Sequence, residues 1–376
     1  MNKKEISEIR RLLTKDHCRI DRIFGCCVNG ERQTVLEMKE AFLSLPEEDM
    51  HKFCGLFRKT LSGTLNKNLM TLSFPPAEEA PDGQQAKLLA LRDSGLEDEA
   101  LLHSFCEDLT ASWTDPGSFL ILLAFGRYDI PSRTRDNMLL DDASDDVYSF
   151  IVCAICPVSL SKAGLVYDAG QNAITSRLQD HMVDMPAAGF LFPAFEDRNT
   201  DIHQFLYYSA KPGDLHEAFL RQALGTEPPL TAETQHAAFA SIVEETFQRD
   251  CDFDVARTVH EQMAELMAQS ADAPEPPVLD RGAVKTLLSG CGASEEQLQK
   301  FEERFDELSD SGTLAFSNVY SSKKFEVVSP EVKISIAADR TDLIETRVID
   351  GREYLMIPVT GDIEVNGIRI RTKKTS

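Results

Sequence analysis

The residues best placed to do chemistry lie in two stretches, Gln179-Asp-His-Met-Val-Asp-Met-Pro186 and Glu196-Asp-Arg-Asn-Thr-Asp-Ile-His203. Together they offer His181, Asp184, Asp197, Asp201 and His203 beside the ends of predicted strands. Imidazoles and carboxylates converging there can hold a divalent metal through His181, Asp184, Asp201 and His203, and such an ion activates water. On that reading Asp184, Asp197, Asp201 and His203 are the catalytic set of a metal-dependent hydrolase, and Arg198 orients an anionic group bidentately. A plainer reading competes with it. Asp197-Arg-Asn-Thr-Asp201 has the composition of a polar hairpin turn, in which Asp and Asn bond to local backbone.

Other signatures are missing. The chain has no G-x-x-x-x-G-K-[ST], no G-x-S-x-G and no H-E-x-x-H, and His260-Glu261 lacks the second histidine. Ser289-Gly-Cys-Gly-Ala-Ser294 lacks the third glycine of a dinucleotide fingerprint and reads as a turn between helices. Asp141-Asp-Ala-Ser-Asp-Asp146 lacks the alternating oxygen ligands and central glycine of a calcium loop, so it reads as a solvated loop. The aromatics Phe190, Phe192, Phe195, Phe205, Tyr207 and Tyr208 have no interleaved Lys or Arg and read as sheet core rather than a base-stacking platform. Nine cysteines, an odd number in apolar contexts, indicate a reducing compartment. Cys153 and Cys156 form a C-x-x-C inside a predicted strand, where an offset of three puts the sulfurs on opposite faces. That argues against a shared metal and redox pairing and favours two core thiols packed as small hydrophobes.

The elements that position these residues follow from hydrophobic period. Residues 3–14 make a short amphipathic helix, and Asn29-Gly30 between two strand-like runs predicts a hairpin with both central residues at positive φ. Ser44-Leu-Pro-Glu47 has the form of a capping box opening a helix to about Leu61. Two helices fill 85–113, broken near Ser94-Gly95. Then the period changes to strands at Ser118–Phe125, Val147–Ile155, Gly164–Tyr167, Gly189–Phe195 and Ile202–Tyr208, which predict a mixed or antiparallel central sheet. The stretch from Phe190 to Tyr208 reads as one long hairpin, with Pro193 suited to an edge or a bulge. Helices return at 214–224, 232–249 and 254–269. The Pro-rich residues 271–279 form a linker, and a helical pair follows, its second helix opened by a capping box at Ser294–Gln297. Short alternating strands fill the rest.

The expected fold is therefore α+β: helices around a mixed or antiparallel central sheet, with a smaller C-terminal all-β domain. Its expected parts are an α+β main domain over 1–270, the linker 271–279, a helical pair over 280–310 and the β-domain over 314–371.

Charge narrows the partners. The chain carries 39 Lys and Arg against 62 Asp and Glu over 376 residues, a formal net charge of −23. Residues 1–67 hold 13 basic and 10 acidic side chains, and residues 320–376 hold 10 and 9, so the excess acid lies entirely in residues 68–319. That middle repels phosphates, which excludes general nucleic-acid and anionic-membrane binding there. The C-terminal β-domain is left open on this point. Solvated helix faces account for the spread acidity, and mimicry of nucleic acid is its sharper alternative. The charged, periodic N-terminal residues carry no apolar stretch of signal type, and the longest apolar runs, 119–125 and 150–158, are too short to span a bilayer. A cytoplasmic protein is expected.

Several segments together carry a resemblance: Asn2-Lys-Lys-Glu-Ile-Ser-Glu-Ile-Arg-Arg11, Phe42-Leu-Ser-Leu-Pro-Glu-Glu48, Arg58-Lys-Thr-Leu-Ser-Gly63, Tyr128-Asp-Ile-Pro131, Cys156-Pro-Val158, Gly189–Phe195 with Thr200–His203, and Arg347-Val-Ile-Asp-Gly-Arg352. The set resembles an uncharacterised bacterial family, a domain of unknown function of Gram-positive anaerobes, over nearly the whole chain. The resemblance implies a bacterial, cytosolic origin and brings no activity, cofactor or site residue. The expected function is a binding or assembly protein without catalytic activity or cofactor, whose partner is a protein, self-association included. The metal-dependent hydrolase at 181–203, with its divalent ion, is the alternative.

Overall fold

A strand buried on both faces reads as an unbroken apolar run, because alternate side chains enter two different cores. That is the arrangement of Ser118–Phe125 and Val147–Ile155. The computed structural model of the chain describes residues 1–14, 17–130, 132–133, 139–140, 146–168, 170, 172–177, 179–270, 277–308, 312–358, 363–365 and 368–370. They divide into two units, Met1–Glu233 and Thr234–Ser376.

In the first unit the order is α1 (Lys3–Arg11), β1 (Ile20–Val28), β2 (Thr34–Ala41), α2 (Glu47–Thr60), β3 (Leu69–Ser73), α3 (Gln84–Asp93), α4 (Glu99–Ser112) and β4 (Ser118–Asp129). There follow β5 (Ser132–Arg133), β6 (Leu139–Leu140), β7 (Val147–Leu160), β8 (Gly164–Asp168), β9 (Ala173–Arg177), β10 (His181–Val183), β11 (Ala188–Phe192), β12 (Ala194–Glu196), β13 (Asn199–Asp201), β14 (Gln204–Ser209) and α5 (Glu217–Gln222). The central sheet runs β2-β1-β4-β7-β11-β14-β3, with β10 also on β7, and each of its pairings is antiparallel. The long strand β7 pairs with β11 over Ile151–Ile155 and with β10 over Val158–Leu160.

The alternation sorts side chains cleanly. Cys153, Ile151, Ile155, Ile121, Phe190 and Phe205 enter one core with residues of α3, α4 and α5. Cys156, Val152, Ala154, Leu122 and Leu206 enter the other with Ile6 and Ile9 of α1 and Phe57 of α2. The two cysteines of the C-x-x-C thus lie on opposite faces, as their offset requires.

Several expectations change. The hairpin at Asn29-Gly30 exists, but its loop is longer than two residues: Asn29 N–H donates to the Gln33 carbonyl at 2.9 Å, and Arg32, not Gly30, has positive φ. The Asn29 side chain holds the loop by accepting from the Glu31 and Gln33 N–H groups. This hairpin and β3 complete the sheet, whereas among the described residues β8 pairs only with β9. No capping box forms at Ser44–Glu47, because Pro46 sits at the cap and the Ser44 hydroxyl donates to the Ala41 carbonyl at 2.7 Å. A capping box does open α1, where Asn2 and Glu5 exchange side-chain-to-backbone hydrogen bonds.

The second unit contains α6 (Ala232–Phe247), which begins at the division, α7 (Phe253–Gln269), β15 (Val278–Asp280), α8 (Arg281–Gly290), α9 (Glu295–Leu308), β16 (Thr313–Ala315) and α10 (Phe316–Val319). Phe239 and Ile242 of α6 and Met263 of α7 share one core with Leu287, Leu288, Phe305, Leu314 and Phe316. The expected division at the Pro-rich segment therefore differs from the packing. The apolar faces of α6 and α7 are buried against the helical pair beyond it. Residues 271–276 of the expected linker lie outside the described residues, and 278–280 pairs as a strand with β16. The Ser294–Gln297 capping box is present, with the Ser294 N–H donating to Gln297 Oε1 at 2.8 Å and the Gln297 N–H to Ser294 Oγ at 3.3 Å.

Toward the C-terminus the described strands form separate hairpins. These are β17–β18 (Lys324–Val328 with Lys333–Ala337), β19–β20 (Glu345–Ile349 with Arg352–Met356) and β21–β22 (Ile363–Val365 with Ile368–Ile370). The first is tied to α7, since His260 lies 3.1 Å from the Ala338 carbonyl and packs on Phe325.

Candidate functional site

The residues singled out in the sequence fall at two ends of β7. His181 lies on β10 opposite Leu160, and the Asp184 N–H donates to the Pro157 carbonyl at 2.9 Å. Asp197 and Arg198, at φ 48° and 60°, form the two-residue turn between β12 and β13, beyond the end of β7 at which Phe192 meets Ile151. At a rise of about 3.3 Å per residue, the roughly seven residues from 158 to 151 place the two groups ~23 Å or more apart along the strand. They do not converge.

Within the second group the polar turn dominates. Asp201 accepts the His203 N–H at 2.9 Å, and His203 Nδ1 lies 2.8 Å from Glu79 Oε1, which raises the pKa of this exposed imidazole. Arg198 does orient an anion, but the anion is its own chain's Glu8: Nη1 donates to both carboxylate oxygens, at 2.9 and 3.0 Å. The Tyr128 hydroxyl donates to the same carboxylate at 2.8 Å, and the Asp197 N–H to Glu5 Oε1 at 2.9 Å. The turn is clamped to α1. Of the acidic run at 141–146, residues 141–145 lie outside the described residues.

A different set does come together. Asp115, in the loop after α4, meets Asp214 and His216 from the loop between β14 and α5, with one ligand-type atom of each lying within 4.8 Å of the others. His216 takes the left-handed conformation at φ 49°, and its ring stacks on Trp113 at 4.3 Å between centroids. Nδ1 stands 3.8 Å from Asp115 Oδ1 and 3.9 Å from Asp214 Oδ1, beyond hydrogen-bond length, and has no hydrogen-bond partner among the described residues. The side chain is only 5% exposed. Burial holds the imidazole below its usual pKa, Asp214 and Asp115 act against that, and Lys211 reinforces it.

Both loops are tied down. Tyr207 donates to the Leu215 carbonyl at 2.8 Å, and Ser209 Oγ to the Asp214 carbonyl at 2.6 Å. Arg32 Nη2 donates to the Asp115 carbonyl at 2.8 Å, while the guanidinium lies over the Phe119 ring. Arg32 and Trp113 also line a groove of about 650 Å³ between β2 and α4, with Thr34, Glu37, His103 and Cys106. His103 and Glu37 face each other there at 3.1 Å.

Nothing local in the sequence announces this cluster. Asp115 is about a hundred residues from its partners, and Asp214-Leu-His216 is too short a pattern to be read alone. The single Trp of the chain, Trp113, is the only nearby composition signal.

By class, this is an α+β protein with an antiparallel sheet between helical layers and one buried imidazole set against two carboxylates. The chain belongs to the family described as a domain of unknown function, DUF4317, which matches residues 1–368 and so spans both units. Among curated proteins none matches it. Among the described residues, no helix is long and apolar enough to cross a membrane.

Proposed function

We propose that this is a bacterial, cytosolic binding or assembly protein whose partner is another protein, a second copy of the chain included. One observation carries the reading. Among the described residues the hairpin β8–β9 pairs with no other strand, yet it presents Leu165 at 77% and Ile174 at 72% exposure, together with Tyr167. A lone two-stranded hairpin is marginal in water, and an apolar surface on one gains stability when something covers it. The neighbouring segment adds exposed Met182, Val183 and Met185. In the second unit, β19–β20 repeats the theme with Val348, Tyr354 and Leu355. The acidic surface between residues 68 and 319 favours a partner with a basic rim around an apolar centre.

The test is the mass of the full chain in solution, by light scattering on a sizing column, and the composition of what co-purifies with it. A defined oligomer or a stoichiometric protein partner is expected. Replacing Leu165 and Ile174 by Ser abolishes it while circular dichroism stays unchanged, since both side chains are exposed. A monomer with no partner that turns over a substrate overturns the reading.

A further inference from the structure

We propose that Asp115, Asp214 and His216 form a binding site for one divalent transition-metal ion, of the class of Zn²⁺ and Co²⁺. The site shares no ligand with the candidates read from the sequence at 181–203.

Three observations support it. First, the donor set has the right spacing. Ligands about 2.0–2.2 Å from a shared ion stand roughly 3.0–3.6 Å apart in octahedral or tetrahedral geometry. The distances of 3.8 and 3.9 Å from Nδ1 to the two carboxylates therefore close by less than about an ångström. Second, Nδ1 is a polar atom in a side chain more than nine-tenths buried, it has no hydrogen-bond partner among the described residues, and it faces two carboxylates. Buried polar atoms without a partner are rare, and metal coordination is one of the ways they are satisfied. A protonated imidazole bridging the two aspartates is the competing account. It requires hydrogen bonds shorter than these distances and a charge where burial disfavours one. Third, the ligands are held in advance. Trp113 fixes the ring by stacking, Tyr207 and Ser209 fix the 210–216 loop, and Arg32 fixes the Asp115 loop.

The donors also choose the ion. An imidazole nitrogen selects against Ca²⁺ and Mg²⁺, which take oxygen ligands. Three protein ligands, two of them partly exposed carboxylates, leave a further coordination position to water, the pattern of an open rather than a structural site.

Co²⁺ titrated into chelator-stripped full-length chain is the probe, because its visible spectrum reports its ligands. One equivalent is expected to bind, with the visible bands of oxygen and nitrogen ligation, and to change the emission of Trp113, the only Trp. Excess Mg²⁺ leaves the bands in place, and Zn²⁺ displaces them. Asp115→Asn and Asp214→Asn are each expected to weaken binding at least about tenfold, in line with losing a ligand. Asp184→Asn and Asp201→Asn are expected to leave it unchanged. No uptake by the folded chain overturns the proposal. So does a strong thiolate-to-cobalt absorption, which would assign the ion to the cysteines, and so does affinity that survives both substitutions at Asp115 and Asp214.

Discussion

Replacing Glu8 by Ala tests whether the turn at Asp197-Arg198 owes its position to α1. The Glu8 carboxylate receives Arg198 Nη1 at 2.9 and 3.0 Å and the Tyr128 hydroxyl at 2.8 Å. Both charged side chains are about three-quarters shielded from solvent. A two-point charge-assisted pair in that setting is worth ~1–1.5 kcal/mol, above the usual surface pair but far below a fully buried one. The tyrosine hydrogen bond adds ~0.5–1 kcal/mol. The variant should therefore lose about 2 kcal/mol, which for a unit the size of Met1–Glu233 corresponds to a fall in Tm of about 4–8 °C. Trp113 is buried in a core of this unit and is the only Trp, so urea unfolding followed by its emission reads this unit. A double-mutant cycle of Glu8→Ala with Arg198→Met isolates the ion pair, with an expected coupling of about 1 kcal/mol. Coupling below about 0.3 kcal/mol would refute the reasoning. The turn would then be held by its other contacts, among them the backbone bond to Glu5.

Two glycines should respond in opposite directions. At Gly189 a Cβ would strike the Cys153 backbone and stand 2.7 Å from Thr60 Cγ2, so Gly189→Ala is expected to cost ~1–3 kcal/mol or more in urea unfolding. At Gly55, exposed within α2 with nothing near a Cβ, Ala should stabilise by ~0.5–1 kcal/mol. Among the partly exposed thiols, a hydrogen bond from Cys54 pulls Cys18 down to about 7, while burial pushes Cys27, Cys251 and Cys291 up. The thiolate forms as pH rises through the pKa, so iodoacetamide should label Cys18 first near neutrality. Its rate should climb through pH 7 and then level off, and Cys54→Ala should move that rise to higher pH. Peptide mapping that finds Cys251 or Cys291 alkylated first would count against this.

Much of the local structure was legible in the chain itself. The apolar runs at 118–125 and 147–155 read as strands, and a period of two placed Cys153 and Cys156 on opposite faces. Turn chemistry was likewise legible at Asp197 and Arg198, which form the turn between β12 and β13. These features depend on neighbours within a few positions, whose conformational preferences travel with the sequence. Tertiary structure decided what depends on distant closure. It alone brought the first hairpin and β3 into the central sheet and left β8–β9 outside it. It also buried the faces of α6 and α7 beyond the Pro-rich segment, because an apolar helical face specifies that it will be covered but not by what. And it joined Asp115 to Asp214 and His216, a meeting made by the ends of α4 and β14 rather than by any spacing along the chain.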